Sequence, residues 1–347
     1  MLQLAIVADD LTGALDAAAP FAARGMKVEV ALHPGTLAKI LTEGADVIAV
    51  STGSRELSPQ EAQAAVALAV SGLPRGVHLF KKVDSRLKGQ IEAELSALEF
   101  RRALVSPAIP AFGRIVRNGA VTGFGVPSPI PVSLALGALA GRCLVPDVAS
   151  EADMAAALAT TVDVDLWVGA RGLAEALAWR LTGQEEPSVV TPAGPRAVFV
   201  VGSRDPITTA QVDALRRTEE VCFMPALNGV IAASPTAGTE APLILVQALP
   251  GTAEMPPERV AANLARGLYP SLTSRCETLL LTGGATAEAV LGAIGVERLR
   301  LLGECLPGLP VATVGKLTVV AKSGGFGDEE TLVQVARMIL GQGARVS

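Results

Sequence analysis

The chain has 347 residues, half of them apolar, only 3% aromatic, with a formal net charge of −5. This is a globular composition long enough for two cores, and the mild acidity, missing basic tract and scarce aromatics exclude a nucleic-acid or anionic-membrane partner. Four scattered cysteines (Cys143, Cys222, Cys276, Cys305), no CxxC pair and two histidines argue against a zinc site or a disulfide framework and predict isolated buried thiols.

The N-terminus MLQLAIVADDLTG has no basic leader and meets two aspartates early, so it reads as the first strand of a cytoplasmic protein. A strand over 2–8, a helix through 24 closed by Gly25 and a strand over 27–32 make a βαβ unit. Strands over 46–51 and 77–82 follow, the helix between them opening at Ser58. QIEAELSALEF puts Ile91, Leu95 and Leu98 on one helical face, and ALVS (103–106) is another buried strand. Residues 107–133 are rich in Pro and Gly without periodicity and read as an irregular functional loop. The uncharged run 118–141 contains Pro127, Pro129, Pro131 and five glycines, so it is no membrane-spanning helix. GQEEPSVVTPAGPR (183–196) is the linker candidate. Strand–helix alternation then restarts, with strands over 196–202, 221–226, 243–248, 278–284 and 317–325. The expected fold is α/β in two domains, 1–185 and 195–347, each a mostly parallel sheet flanked by helices, with the active site in the interdomain cleft.

The strand ends carry the chemistry. ADDLTGALD places Asp9 and Asp10 at a helix start. A helix cap explains one aspartate; two can bind substrate hydroxyls, hold Mg²⁺ through water or act as a base. STGSR supplies Arg55, suited to a carboxylate or phosphate, or a solvated turn. KKVDSRLKG packs five charges into eight residues after the apolar VHLF. Its cations Lys82, Arg86 and Lys88 fit an anion, with Asp84 and Ser85 able to orient hydroxyls; the plainer reading is an exposed charged loop. In the second half, VGSRDPITTAQ, LTGGATAEAV and AKSGGFGDEE bring glycines and hydroxyls to three more strand ends. Backbone N–H groups at such turns cradle phosphate. Gly325 reads as a position where a side chain would block that approach. With no GxxxxGK[ST] and no GxGxxG, neither a Walker loop nor an NAD fingerprint is present.

These residues resemble the four-carbon acid sugar kinases, the threonate and 3-oxo-tetronate kinase group. ADDLTGALD, KKVDS with its following AEL, and PAIPAFGR resemble that family's sugar-binding N-terminal domain; VGS, TGGATA and KSGGFGDEETL resemble its nucleotide-binding C-terminal domain. The resemblance implies ATP held by Ser203, by the Gly283, Gly284, Ala285 and Thr286 turn, and by Lys322, Ser323, Gly324 and Gly325. It implies an acid sugar against Asp10, Arg55, Lys82, Asp84 and Ser85; the charges of this chain add Asp9, Arg86, Lys88 and Arg114 as candidate substrate contacts, and Asp10 or Asp84 is the expected acceptor base. The expected activity is ATP- and Mg²⁺-dependent phosphorylation of a terminal hydroxyl, the metal ligands and a homodimer being left open. Departures stand out: family members usually read DSTLRGN where this chain has DSRLKGQ, and Ala285 stands where an acidic residue is common. The alternatives are a Mg²⁺-dependent sugar-phosphate hydrolase or isomerase built on Asp9 and Asp10, and a non-catalytic sensor of sugar acids or nucleotides.

Overall fold

The computed structural model describes residues 2–161, 163–231 and 241–341. The chain divides into two compact units, residues 1–187 and 188–347.

In the first unit, β1 (Leu4–Ala8), α1 (Leu11–Ala22), β2 (Val28–Ala31), α2 (Leu37–Leu41), β3 (Val47–Ser51), α3 (Pro59–Ser71) and β4 (His78–Lys82) alternate as their patterning predicts. Then come α4 (Ile91–Leu95), β5 (Ala103–Ser106), β6 (Arg114–Arg117), β7 (Ala120–Gly123), β8 (Ile130–Pro131), α5 (Val132–Leu136), β9 (Cys143–Leu144), α6 (Glu151–Thr160), β10 (Leu166–Gly169) and α7 (Arg171–Thr182). Local chemistry sets the helix starts. Asp10 caps α1 through the Gly13 amide, and Ser58 with Glu61 and Ser150 with Asp153 form capping boxes on α3 and α6.

The sheet of this unit runs β2-β3-β1-β4-β10-β5-β9, all parallel. Strand order reverses at β1, where Ala8 stands opposite Ser51 of β3 on one side and Lys82 of β4 on the other. The three charged turns therefore leave the sheet side by side, at the crevice where open α/β sheets hold ligands. Every residue of α1 is buried. An apolar helix enclosed on all sides is core, and any polar group it carries enters the interior.

Residues 107–133 are not the irregular loop that their composition predicts. β6, β7 and β8 form a 3-stranded antiparallel sheet. The β6–β7 turn is Asn118–Gly119 with φ of 51° and 69°, the positive pair that a two-residue hairpin requires. The Asn-Gly signal was there; the surrounding prolines and glycines masked it.

The second unit contains β11 (Ala197–Val201), α8 (Pro206–Thr218), β12 (Cys222–Leu227), β13 (Leu243–Leu249), α9 (Pro257–Leu268), β14 (Thr278–Thr282), α10 (Gly284–Ala293), β15 (Arg298–Leu306), β16 (Leu309–Val314), β17 (Leu317–Lys322) and α11 (Thr331–Leu340). Its strands run β12-β13-β11-β14-β17-β16-β15. β12 through β17 in that order are parallel, and β16 and β15 add an antiparallel edge that the alternation did not foretell. Val201 faces Thr282, and Thr282 faces Lys322, so the three glycine-bearing turns are again neighbours.

All four cysteines are free, but only Cys305 is buried; Cys143, Cys222 and Cys276 are half-buried. Burial nonetheless pushes the Cys276 thiol to about 11 and that of Cys305 to about 12, which leaves both protonated and unreactive. Among the described residues no helix is long and apolar enough to cross a membrane.

Candidate functional site

In the first unit Arg55 organises the turn after β1. Its Nε and Nη2 donate to Asp9 Oδ2 and Oδ1 at 2.7 and 2.9 Å, and its Nη1 and Nη2 to Asp10 Oδ2 and Oδ1 at 2.8 and 3.0 Å. Asp10 also accepts from the Gly13 amide and Thr12 Oγ1, both at 2.8 Å. Burial works against the charge on Asp9, but the Arg55 hydrogen bonds and the charges of Arg55, Lys81 and Lys82 outweigh it and hold its pKa below the usual value. Burial likewise opposes the charge on Arg55, and Asp10 and Asp9 overturn that, leaving a guanidinium harder to deprotonate than an ordinary arginine. Arg55 is thus turned inward onto two carboxylates, a half-buried clamp more than a free anion fork. Gly89 lies against it at φ 93°, where a Cβ would stand 3.1 Å from Asp9 Oδ2.

The neighbouring turn divides its charges by depth. Lys81 and Glu94 are buried at 0% and 1% side-chain exposure and paired at 3.0 Å, Glu94 also accepting from Ser54. That pair belongs to the core. Lys82 is 5% exposed and its Nζ donates to the Val83 carbonyl at 3.0 Å. Asp84 Oδ1 accepts from the Arg86 amide at 2.8 Å and the Lys88 amide at 3.4 Å, shaping the turn. Its Oδ2 accepts no hydrogen bond among the described residues. Ser85 receives Arg114 Nη1 at 2.5 Å, and Arg114 Nε donates to the Phe124 carbonyl at 3.1 Å. The small antiparallel sheet therefore delivers Arg114 to the KKVDSR turn. Burial, and then the adjacent Arg86 charge, lower the Arg114 pKa, with Asp84 compensating in part. The Arg86 guanidinium has no hydrogen-bond acceptor or ion-pair partner among the described residues; Lys88 is exposed.

One group behind this front was overlooked. Asp16, on α1, is 6% exposed, and burial raises its pKa against the charges of Arg171 and Lys82. Its Oδ1 sits 3.5 Å from Arg171 Nη1 and accepts no hydrogen bond. The residue closes the ADDLTGALD motif. The sequence signal was a lone aspartate on a helix otherwise made of apolar and small residues.

In the second unit Ser203, Gly283, Gly284, Ala285 and Thr286 line one cavity of about 270 Å³, together with Gly202, Arg204, Met255, Pro257 and Val260. α10 begins here without a side-chain cap, from Gly283 at φ 90°. Its first amides face an open site, the arrangement that receives phosphate. Arg204 and the apolar wall of Met255, Pro257 and Val260 were not foreseen.

Lys322, Ser323, Gly324 and Gly325 form the adjoining turn and do not line that cavity. Lys322 is fully buried, with Nζ donating to Thr208 Oγ1 at 3.1 Å and to the Ser323 and Gly324 carbonyls at 3.1 and 3.3 Å. It ties the turn together. Burial lowers its pKa to about 8, Asp205 opposing. The tight backbone approach falls at Gly324, where a Cβ would come within 2.3 Å of Ser203 Oγ. Gly325 has room, 3.5 Å from Asp205 Oδ2. That contact also places the Asp205 carboxylate at the turn, a residue inside the quoted VGSRDPITTAQ motif to which the sequence assigned no role.

The first α/β unit thus carries a crevice of carboxylates and cations, and the second carries glycine-bearing turns beside the uncapped start of α10. Residues 4–132 match the family model of a sugar-binding N-terminal domain, and residues 198–332 that of a nucleotide-binding C-terminal domain. A D-threonate kinase of Cupriavidus necator is 31% identical over 94% of this chain and 95% of its own. A 3-oxo-tetronate kinase of Brucella melitensis is 26% identical over 94% of each. The crystal structure of the Haemophilus influenzae protein HI1011 covers 97% of this chain and all of its own, with TM-score 0.68 at 20% identity, a likeness of fold. The chain belongs to the four-carbon acid sugar kinase family.

Proposed function

We propose that this chain is an ATP-dependent kinase that phosphorylates a terminal hydroxyl of a four-carbon acid sugar of the threonate, erythronate or 3-oxo-tetronate kind. The observation that carries the reading is the pair of convergent strand-end sites. One gathers carboxylates and guanidinium groups at the ends of β1, β3 and β4; the other gathers the uncapped first amides of α10 after β14 and the glycine- and serine-bearing turns after β11 and β17.

Phosphoryl transfer asks for positioning and charge stabilisation more than covalent chemistry. Arg86 and Arg114 supply fork-shaped donors for the substrate carboxylate, and Lys82 supplies charge for the transferred phosphoryl. Asp84, with Oδ2 uncommitted, takes the acceptor hydroxyl's proton as its oxygen attacks the γ-phosphorus and ADP departs. Asp10, spent on Arg55, Thr12 and the start of α1, holds the frame. The first amides of α10, with Ser203, receive the nucleotide phosphates, and the Met255 wall suits the base. Mg²⁺ would arrive with the triphosphate and neutralise its charge; Asp205 is the carboxylate that fits it, through water.

A coupled ADP-release assay across four- and five-carbon acid sugars tests the proposal. ADP release only with a four-carbon acid supports it. Phosphate release from sugar phosphates without ATP would make the chain a hydrolase, and binding without turnover a sensor.

A further inference from the structure

Behind the acid-sugar turns the first unit holds a second row of charges, buried except for the half-buried Glu175. Arg171 of α7 reaches Asp16 at 3.5 Å and Glu175 at 3.1 Å, and Glu175 continues to Arg24 at 2.7 Å. In front of them lies Lys82. Its Nζ and Cγ stand 3.4 and 3.5 Å from the place a Cβ on Gly13 would occupy, so the side chain crosses the first turn of α1. Asp16 follows Gly13 by three residues and shares that face of the helix.

Lys82 Nζ spends one of its donors on the Val83 carbonyl. A cation this enclosed needs a carboxylate nearby to offset its burial. The oxygens of Asp9 and Asp10 are all engaged by Arg55. Asp16 Oδ1 is buried and takes no hydrogen bond.

We infer that Asp16 is a positioning residue for the phosphoryl transfer, its charge holding the Lys82 side chain aimed across the start of α1 at the acid-sugar turns. The inference rests on the kinase reading given above and deepens it. Asp9, Asp10 and Asp16 balance Arg55, Lys82 and Arg171 one for one, and the Glu175–Arg24 pair adds no net charge. Removing the charge of Asp16 leaves one cation in excess among Arg55, Lys82 and Arg171. Lys82 then turns away from that excess, and the transferred phosphoryl loses a cation. Asp16 does this without touching substrate, through Lys82 alone.

The test is a double-mutant cycle on kcat/KM for D-threonate with ATP saturating. Asp16→Asn keeps shape and removes charge, and it should lower kcat/KM roughly 10- to 100-fold, the range seen when an outer partner of a metal ligand is lost. Lys82→Met should lower it further. In the Lys82→Met background, Asp16→Asn should change it less than about twofold, because there is no ammonium left to hold. If the two losses multiply, Asp16 acts through the fold alone and the inference is overturned. The cycle is repeated on the D-threonate Kd by calorimetry, so that an inactive Lys82→Met enzyme still decides it by the same criterion. Should Asp16→Asn not fold, Asp16→Glu takes its place, with a smaller loss that again must vanish when Lys82 is Met. A wild-type enzyme that releases no ADP with any acid sugar would defeat the kinase reading itself, a different result from a multiplicative cycle in an active enzyme.

Discussion

Replacing Asp10 by Asn separates the frame of the site from its chemistry. From sequence alone the exchange looks mild, since Asn caps helices as well as Asp. The geometry says otherwise. Asp10 accepts four hydrogen bonds, from Gly13 N, Thr12 Oγ1, Arg55 Nη1 and Arg55 Nη2. An Asn can place its oxygen toward the Gly13 amide and keep the cap, and the Thr12 hydroxyl can rotate to accept. Arg55 Nη1, at 2.8 Å, then meets an NH₂ donor to donor. One charge-assisted hydrogen bond is lost, worth about 1.5–3 kcal/mol. Arg55 is 23% exposed in its side chain and keeps both contacts to Asp9, which favours the lower half of that range, about 2 kcal/mol. For a unit of this size that shifts the midpoint of its thermal transition by about 4–8 °C. Calorimetry of the ligand-free protein reads the shift directly. On the proposal that Asp84 takes the proton, kcat of Asp10→Asn should fall less than about tenfold, while Asp84→Asn should lose roughly 10²–10⁴-fold. An Asp10→Asn variant that melts with wild type, or one that loses more activity than Asp84→Asn, refutes the reasoning.

Glu94→Gln should destabilise the first unit by about 3–5 kcal/mol, because Lys81 is left buried without its carboxylate; a urea midpoint near that of wild type would mean the pair is not enclosed. Gly324→Ala drives a methyl into Ser203 Oγ and should weaken ADP binding at least about tenfold by calorimetry, while Gly325→Ala, which has room, should not; equal affinities would remove this turn from the nucleotide site. Arg86→Thr should raise KM for the acid sugar roughly 10- to 150-fold, the loss of one charge-assisted contact of about 1.5–3 kcal/mol, with ATP kinetics unchanged; an unaltered KM would put Arg86 in solvent. Lys322 titrates at about 8 in the folded protein, below its ordinary 10.5. Between those values the unfolded chain holds the proton that the folded one has released, so folding strengthens as pH rises through that window. The stability of wild type relative to Lys322→Met should therefore climb from pH 8 to 10.5, and a flat difference would show the ammonium is not desolvated.

Strand-end motifs were legible because a parallel sheet needs near-continuous apolar strands, so a burst of charge after VHLF or LAIVA can only mark an exit from the core. That rule also located the glycine turns. It could not say which charges turn inward. Lys81 and Lys82 are adjacent in sequence and point to opposite faces of β4, one toward Glu94 and the other across α1. Arg55 looked like an anion fork until two aspartates were found around it, a fact of tertiary approach over 45 and 46 residues. Residues 107–133 were misread because proline and glycine density outweighed the Asn-Gly hairpin signal. The β15–β16 edge was missed because an antiparallel pair at the end of an alternating pattern breaks the very regularity used to read it. The partners of Lys322, Thr208 and the Ser323 and Gly324 carbonyls, were hidden for the same reason as those of Arg55: they come from tertiary approach and from the shape of the turn.

The enclosure of α1 has a consequence for how such an enzyme can change over time. A helix with no exposed face leaves no position where a new side chain can be tried without displacing a neighbour. The groups fixed to it, Asp10 at its start and Asp16 farther along, are therefore held in place by the packing of residues that never meet the substrate. The KKVDSR turn and the small antiparallel sheet are different: Arg86, Lys88 and Phe124 are half-exposed or exposed and can be exchanged at little structural cost. Selection for a new acid sugar would accordingly work on the periphery, altering what fits while the inner charges stay as they are. Changes such as DSTLRGN to DSRLKGQ are the kind that this division permits.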